Sequence, residues 1–209
     1  MKLIILGGFL GSGKTSVLIP LAKEMVASAG GAADGSTKVA IIENEIGQVG
    51  VDTAFTEGSG LYTSELFNGC VCCTIASSLM DALSKMEDQM HPEFVILETT
   101  GLARPYDVAQ QLWDYYDENM NITLITVVDA SRWLRISRVA GALVDEQIDR
   151  ANYVLLNKID ATDEETIAEV EKQISSKCDA KLYRVSTTTD PEGTVGICRE
   201  MITEINSWE

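Results

Sequence analysis

Basic residues and proline are scarce in this sequence, and no apolar run is long. Lys and Arg number 16 against 32 Asp and Glu, which gives a formal net charge of -16. A chain this acidic repels a phosphate backbone over most of its surface, so we expect no nucleic-acid partner. No run approaches the roughly 18 apolar residues of a spanning helix, so we expect no membrane partner either. The four prolines in 209 residues exclude a collagen-like chain.

The remaining composition is that of a globular domain. Apolar residues make up 45% and charged residues 23% of the chain, which excludes disorder and leaves enough apolar surface for a sizeable core. The length suits one α/β domain, so we expect residues 1–209 to form a single domain without a separate C-terminal domain.

Short apolar runs alternate with helical patterns of about 12 residues, which is typical of βα units and a mostly parallel sheet. Strands are predicted at 2–6, 38–42, 94–98, 122–128, 152–156 and 181–185. Helices are predicted at 14–27, with a kink at Pro20, and at 74–88, 105–117, 131–140, 163–175 and 193–207. The runs ILETT, TLITVVD and YVLLN are almost wholly apolar before their polar ends. The predicted fold is therefore three-layered, with a central sheet flanked by helices.

In two segments between the predicted helices and strands, apolar residues do not recur at the spacing of a helix or a strand. Residues 28–37 are small and glycine-rich, which predicts a flexible loop. Residues 43–60 carry four glycines among acidic residues. A connection of this length is typical of a lid or switch segment.

Residues 8–15 read GFLGSGKT and satisfy the pattern G-x-x-x-x-G-K-[ST] between a predicted strand and a predicted helix. The glycines let backbone N–H groups point at one anion, Lys14 neutralises the β and γ phosphates, and Thr15 offers a hydroxyl to Mg2+. The predicted phosphate contacts are Gly8, Gly11, Ser12, Gly13, Lys14, Thr15 and Ser16. A dinucleotide fingerprint starting at Gly11 is rejected because it requires glycine where Ser16 stands.

A second acidic element follows the run FVIL. Glu98 ends that predicted strand and Gly101 comes three residues later. At the carboxyl end of a parallel strand, Glu98 would face the phosphates and the water shell of the metal ion, and Gly101 would let backbone approach the γ-phosphate. Lys14, Glu98 and Gly101 are the predicted catalytic residues.

The sequence Asn157-Lys158-Ile159-Asp160 follows another buried strand. The Asp160 carboxylate can accept two hydrogen bonds from N1–H and the amino group of guanine, a donor pair that adenine lacks. Lys158 can lay its methylene stem along the purine face. Ser186, after the last predicted strand, is a candidate for contacting the base from the other side.

Three of the five cysteines, Cys70, Cys72 and Cys73, fall within four positions, which is too tight for a disulfide framework. Three thiolates with a vacant fourth position suit Zn2+. Buried thiols acting as small hydrophobic groups and a redox pair without metal remain alternatives. Glu43 and Glu45 are plausible oxygen ligands nearby. This cysteine usage, with no leader pattern at the start of the chain, predicts a cytoplasmic protein.

Taken in order, GGFLGSGKTS, IENEIGQVGVD, ELFNGCVCCT, ILETTGLARP, DEQIDRANYVLLNKID and the region of Ser186 resemble the GTPase domain of the CobW/HypB/UreG group, most closely its CobW-like branch. The resemblance implies a P-loop GTPase that binds GTP and Mg2+ and handles zinc, cobalt or nickel. It implies that Lys14 and Thr15 contact phosphate and Mg2+, that Cys70, Cys72, Cys73 and Glu43 bind the transition metal, and that Asn157 and Asp160 recognise guanine.

The function implied is a GTP-hydrolysing metallochaperone that delivers metal to a client metalloprotein and forms a nucleotide-dependent homodimer. No residue is an obvious catalytic base, so slow intrinsic turnover is expected. One alternative is a nucleotide-gated interaction protein whose cysteines hold a structural zinc or no metal. A weaker alternative is a small kinase that uses the same phosphate loop.

Overall fold

One parallel sheet organises the chain. A computed structural model describes residues 1–31, 33, 36–43, 59–65 and 74–208, without the side chains of 65 and 74–77. Within these ranges the strands are β1 (Lys2–Gly7), β2 (Val39–Glu43), β3 (Leu61–Glu65), β4 (Phe94–Glu98), β5 (Asn121–Asp129), β6 (Tyr153–Asn157) and β7 (Lys181–Arg184). They form a seven-stranded sheet of order β3-β2-β4-β1-β5-β6-β7, and each pairing is parallel. The predicted fold class is confirmed.

Helices cover both faces of the sheet. In the described part of the chain they are α1 (Lys14–Ser28), α2 (Thr74–Met90), α3 (Pro105–Tyr115), α4 (Trp133–Ile148), α5 (Glu164–Ser175) and α6 (Pro191–Ser207), with a 3-10 turn at Ile159–Ala161. None of these helices combines the length and apolar character that crossing a membrane requires.

Two helices differ from their predicted form. We expected a kink at Pro20, but α1 is one continuous helix through that residue. The helix predicted at 131–140 is longer: α4 has non-helical backbone angles at Ala140 (φ -134°, ψ 41°) and then continues to Ile148. The predicted helix ended where the regular backbone is interrupted, because the apolar period is interrupted there too.

Strand β3 was not predicted. It pairs with β2 in parallel and forms one edge of the sheet: Leu61 lies opposite Val39 at one end of the pairing, and Glu65 lies opposite Glu43 at the other. Its sequence, LYTSE, has no apolar run, because an edge strand is covered less completely than a central one; Tyr62 is 41% exposed. Most of the predicted switch segment, residues 44–58, lies outside the described residues.

Alternating strand side chains build a core on each face. In β1, Ile4 and Leu6 pack with α1 and α6, whereas Leu3 and Ile5 pack with α2 and α3. A third cluster, on the same face of the sheet as α2 and α3, packs residues of β5 and β6 against α4 and α5. Each fully buried Leu or Ile contributes about 1.5–3 kcal/mol. The sheet is therefore a rigid support, and the loops at the carboxyl ends of its strands are held by well-packed elements.

Arg184 attaches the edge strand β7 to α5. Its Nε and Nη2 donate to the two carboxylate oxygens of Glu171 at 2.6 and 2.7 Å. This bidentate pair holds the pKa of Glu171 below its usual value. A lowered folded-state pKa stabilises the protein above the unfolded-state pKa of about 4.3, and that stabilisation is lost as the pH falls through the folded-state pKa.

We therefore expect Glu171→Gln to lower the unfolding free energy by about 0.5–1 kcal/mol at pH 7, because the pair is partly exposed to solvent. The difference should disappear at acidic pH, once the wild-type carboxylate is protonated as well. Urea unfolding at pH 7 and at acidic pH measures it, with Glu165→Gln on the same helix as the control. A difference that does not change with pH would contradict the ion-pair explanation.

Candidate nucleotide-binding site

The predicted phosphate loop connects β1 to α1 at the carboxyl edge of the sheet. Gly8, Gly11 and Gly13 all have positive φ angles, at 138°, 76° and 99°. A Cβ atom at Gly8 would collide with the Val127 carbonyl oxygen, and one at Gly13 would collide with the Asn157 amide nitrogen. These positions therefore require glycine for both backbone conformation and space.

The loop closes on itself at its start. Lys14 Nζ donates to the Gly8 carbonyl at 3.2 Å, and Ser12 N–H donates to the Phe9 carbonyl at 3.0 Å. Lys14 is only 5% exposed, so its charge is held beneath the loop. Among the described residues, the hydroxyl of Ser12 is buried and has no hydrogen-bond partner. A buried hydroxyl that lacks a partner among the described residues, in the same loop as Lys14, fits a phosphate oxygen.

The next three carbonyl groups of the loop are bound by side chains from other elements. Arg132 Nη1 donates to Leu10 O at 3.3 Å and Lys158 Nζ to Gly11 O at 2.5 Å. Asn157 Nδ2 donates to Ser12 O at 3.0 Å. In a trans peptide the C=O and N–H point in opposite directions, so the Gly11 and Gly13 N–H groups point away from these donors. With the first turn of α1, they form a concave row of amides suited to an anion.

Thr15, the predicted Mg2+ contact, meets Glu98, which was predicted to face the water shell of that ion. Thr15 Oγ1 donates to Glu98 Oε1 at 3.1 Å. Glu98 is 4% exposed at the end of β4, and Thr15 lies in the first turn of α1. A hydroxyl beside a carboxylate supplies the hard oxygen ligands that Mg2+ prefers. The residues present therefore fit this ion.

Glu43 ends β2 and lies beside Glu98 in the register of the sheet, with Glu65 of β3 on its other side. The other predicted transition-metal ligands, Cys70, Cys72 and Cys73, lie outside the described residues, as does Glu45. Within the part of the chain that is described, no three His, Cys, Asp or Glu residues form a group that could hold a metal ion. Of the predicted set, the structure therefore places Glu43 alone.

The predicted base-binding residues meet at the ends of β6 and β7. Asp160 lies in the 3-10 turn and is exposed, and its Oδ1 accepts a hydrogen bond from Ser186 Oγ at 2.5 Å. Asn157 is only 1% exposed, and its Oδ1 accepts from Thr187 N–H at 3.4 Å. Asn157 thus connects the phosphate loop to the loop that carries Ser186, while Asp160 leaves a carboxylate edge accessible.

Lys158 makes contacts that the sequence did not indicate. Besides Gly11 O, its Nζ contacts Asp129 Oδ2 at 2.9 Å. Asp129 ends β5 and is 6% exposed. It was missed, although a signal was present: the run TLITVVD ends in a polar residue at the same edge of the sheet as Glu98 and Asn157.

Gly101 packs its backbone against the phosphate loop. A Cβ atom there would lie 2.6 Å from Leu10 N. Its carbonyl accepts from Gln147 Nε2 at 2.7 Å, so α4 helps to hold the segment after β4. Gln147 was missed because the predicted helix stopped at residue 140, before the turn that carries it.

The two remaining cysteines lie outside the site. Cys198 is buried in the core, and burial raises the pKa of its thiol to about 12. Burial also raises the pKa of Cys178, whose Sγ lies 3.7 Å from the Ile174 carbonyl oxygen. Neither thiol is a good source of thiolate at neutral pH.

Comparisons with known proteins agree on one family. The family model for the CobW/HypB/UreG nucleotide-binding domain matches residues 2–183. Zinc-regulated GTPase metalloprotein activator 1 of Schizosaccharomyces pombe is 32% identical over 193 residues, 87% of this chain and 45% of that protein. The zinc chaperone CobW of Sinorhizobium sp is 28% identical over 209 residues, 85% of this chain and 56% of that protein.

The crystal structure of Zn(II)-bound YjiA GTPase from E. coli has the same fold. Its TM-score is 0.63 at 23% sequence identity, and the match covers 88% of this chain and 57% of that chain. The chain spans about half the length of the curated relatives it matches. The matched range, residues 2–183, includes the position of each predicted site residue except Ser186.

We expect Asn157→Ala to destabilise the protein by about 1–3 kcal/mol, because it leaves the buried Ser12 carbonyl without its donor. Asn119→Ala is a suitable control, since Asn119 is exposed and should change stability by less than about 0.5 kcal/mol. Urea unfolding of both variants measures the difference. Equal stabilities would mean that Asn157 does not support the loop.

Proposed function

The chain belongs to the CobW/HypB/UreG family of nucleotide-binding domains, and on that premise we propose that it is a GTP-hydrolysing metallochaperone. The supporting observation is the 3.1 Å contact between Thr15 and Glu98, with Glu43 beside Glu98 in the sheet. Neighbouring strands lie about 4.8 Å apart. The proposed Mg2+ contacts and the proposed transition-metal ligand Glu43 are thus separated by a single strand spacing.

The phosphates of GTP would be bound by the loop amides, Lys14 and the hydroxyl of Ser12. Thr15 and Glu98 would hold Mg2+, which when bound neutralises charge on the β and γ phosphates. Gly101, whose backbone packs against the loop, would lie near the γ-phosphate. Because positioning and charge neutralisation account for most of the catalysis of phosphoryl transfer, these residues support slow hydrolysis without a strong general base.

Guanine would be recognised by Asp160. The hydrogen bond from Ser186 occupies one side of its Oδ1 atom, and the exposed edge can accept from N1–H and the amino group of guanine. Asn157 is bound to the phosphate loop and to Thr187, so it aligns the base-binding and phosphate-binding loops.

The metal would be bound by Cys70, Cys72, Cys73 and Glu43. Zinc is preferred over cobalt or nickel because thiolates suit it and because the relatives from Sinorhizobium and Schizosaccharomyces are named for zinc. Binding of GTP and Mg2+ would order the segment 43–60 and thereby arrange the thiolates and Glu43 around the metal ion. Hydrolysis of GTP would relax the segment and the metal site together, and the metal would then be released. A coupling energy of about 1–3 kcal/mol changes affinity about 5- to 150-fold.

Delivery to a client metalloprotein and nucleotide-dependent dimerisation complete the proposal. Both are properties of a whole protein, and residues 1–209 span about half the length of the relatives they match. A reducing compartment such as the cytoplasm would keep the three thiols available for transfer.

We expect Asp160→Asn to weaken GDP binding at least about 100-fold, because an amide cannot accept both guanine hydrogen bonds, and to favour xanthosine diphosphate. Calorimetric titration with both nucleotides measures the change. Asp163→Asn, a substitution at the N-cap of α5, is the control and should leave base preference unchanged. An unaltered preference in Asp160→Asn would exclude this residue from base recognition.

We expect Zn2+ to bind at least about 5-fold more tightly with a non-hydrolysable GTP analogue than with GDP. Competition with a chromophoric chelator under anaerobic conditions measures both affinities. Cys72→Ser should lower Zn2+ affinity in both states while the protein remains folded. Cys178→Ser, which removes a thiol elsewhere, should not.

Equal Zn2+ affinities in the two nucleotide states would contradict the proposed coupling between GTP hydrolysis and metal binding. Loss of folding in Cys72→Ser would instead indicate a structural zinc and favour a nucleotide-gated interaction protein. Circular dichroism of the variant distinguishes this outcome from selective loss of the metal.

A further inference from the structure

We infer that Arg132 is a positioning residue for the phosphate loop. It donates from Nη1 to the carbonyl of Leu10 at 3.3 Å, and by holding that carbonyl outward it directs the following N–H of Gly11 toward the bound phosphates. This inference rests on the proposed nucleotide binding and adds to that site the N-cap residue of α4.

The backbone that carries Arg132 is held firmly. Arg132 N–H donates to the Asp129 carbonyl at 3.2 Å, and Ala130 N–H donates to the Asn157 carbonyl at 2.9 Å. Asp129 Oδ1 accepts from both the N–H and the hydroxyl of Ser131, at 3.0 and 2.6 Å. The turn between β5 and α4 is therefore fixed at three points, so little conformational freedom is lost when Arg132 contacts the loop.

Arg132 acts beside a second cation. Lys158 Nζ donates to the adjacent carbonyl, Gly11 O, and pairs with Asp129. Two successive peptide units of the loop are thus held by cations from two different strand ends. Without the donor at Leu10, the peptide between Leu10 and Gly11 would rotate more freely and its N–H would lose its preset direction.

Arg132, at the N-cap of α4, contacts the phosphate loop, and two further arginines lie within the helix itself. The sequence SRWLRISR places Arg132, Arg135 and Arg138 at helical spacing, and the latter two are exposed. In a chain of net charge -16, any of the three would raise the local potential for an anion. Only a contact with the loop distinguishes the proposed role from this general effect, and Arg135 therefore provides a matched control.

The test compares the wild type, Arg132→Ala and Arg135→Ala, using calorimetric titration of the full chain with GDP and with GMP. Loop amides cradle the α- and β-phosphates; GMP lacks the β-phosphate, the group toward which we infer that the Gly11 N–H is directed. We expect Arg132→Ala to weaken GDP binding about 5-fold, the loss of one partly exposed hydrogen bond. We expect GMP binding in that variant, and binding of both nucleotides to Arg135→Ala, to stay within about 2-fold of the wild type.

Equal losses for GDP and GMP in Arg132→Ala would overturn the inference, because they indicate a general loss of structure. Equal effects of the two arginine substitutions would also overturn it, because they indicate a field effect. If the wild type binds GDP and Arg132→Ala binds it equally well, the role of Arg132 is refuted and the proposed function is unaffected. Failure of the wild type to bind GDP would remove the proposed function as well.

Discussion

The geometry of the site depends on how the backbone carbonyls of the phosphate loop are bound. From Gly8 to Ser12 each carbonyl accepts a hydrogen bond, two from within the loop and three from Arg132, Lys158 and Asn157. Where the donor is Arg132 or Asn157, peptide planarity points the N–H group that follows, of Gly11 or Gly13, away from that donor. An anion site made of main-chain amides is therefore built by donors on the far side of the loop.

The parallel sheet brings these donors together. Arg132 follows β5, and Asn157 and Lys158 lie at the end of β6, while the loop itself follows β1. In the sheet order β1, β5 and β6 are neighbours, so their carboxyl ends meet at one edge. On the other side of β1, the same edge carries Glu98 and Glu43 in register. The proposed link between the nucleotide state and the metal rests on this adjacency.

The sequence predicted the elements that rest on strong local signals. Buried central strands have long apolar runs, and the phosphate loop has glycine at each position where the backbone angles or the available space require it. Strand β3 was missed because an edge strand such as LYTSE carries a weak apolar signal. The second half of α4, and with it Gln147, was missed because the helical period breaks at Ala140.

Local sequence by itself determined the phosphate loop, the polar ends of the buried strands and the candidate guanine contact at Asp160, because each depends on residues a few positions apart. Only the tertiary structure decided which distant side chains support the loop. Asp129, Arg132 and Lys158 are separated from it by more than a hundred residues, and their contacts arise from strand order and register. A hydrogen bond of about 3 Å between such residues leaves no periodic pattern in the sequence, since the intervening sheet and helices alone fix its geometry.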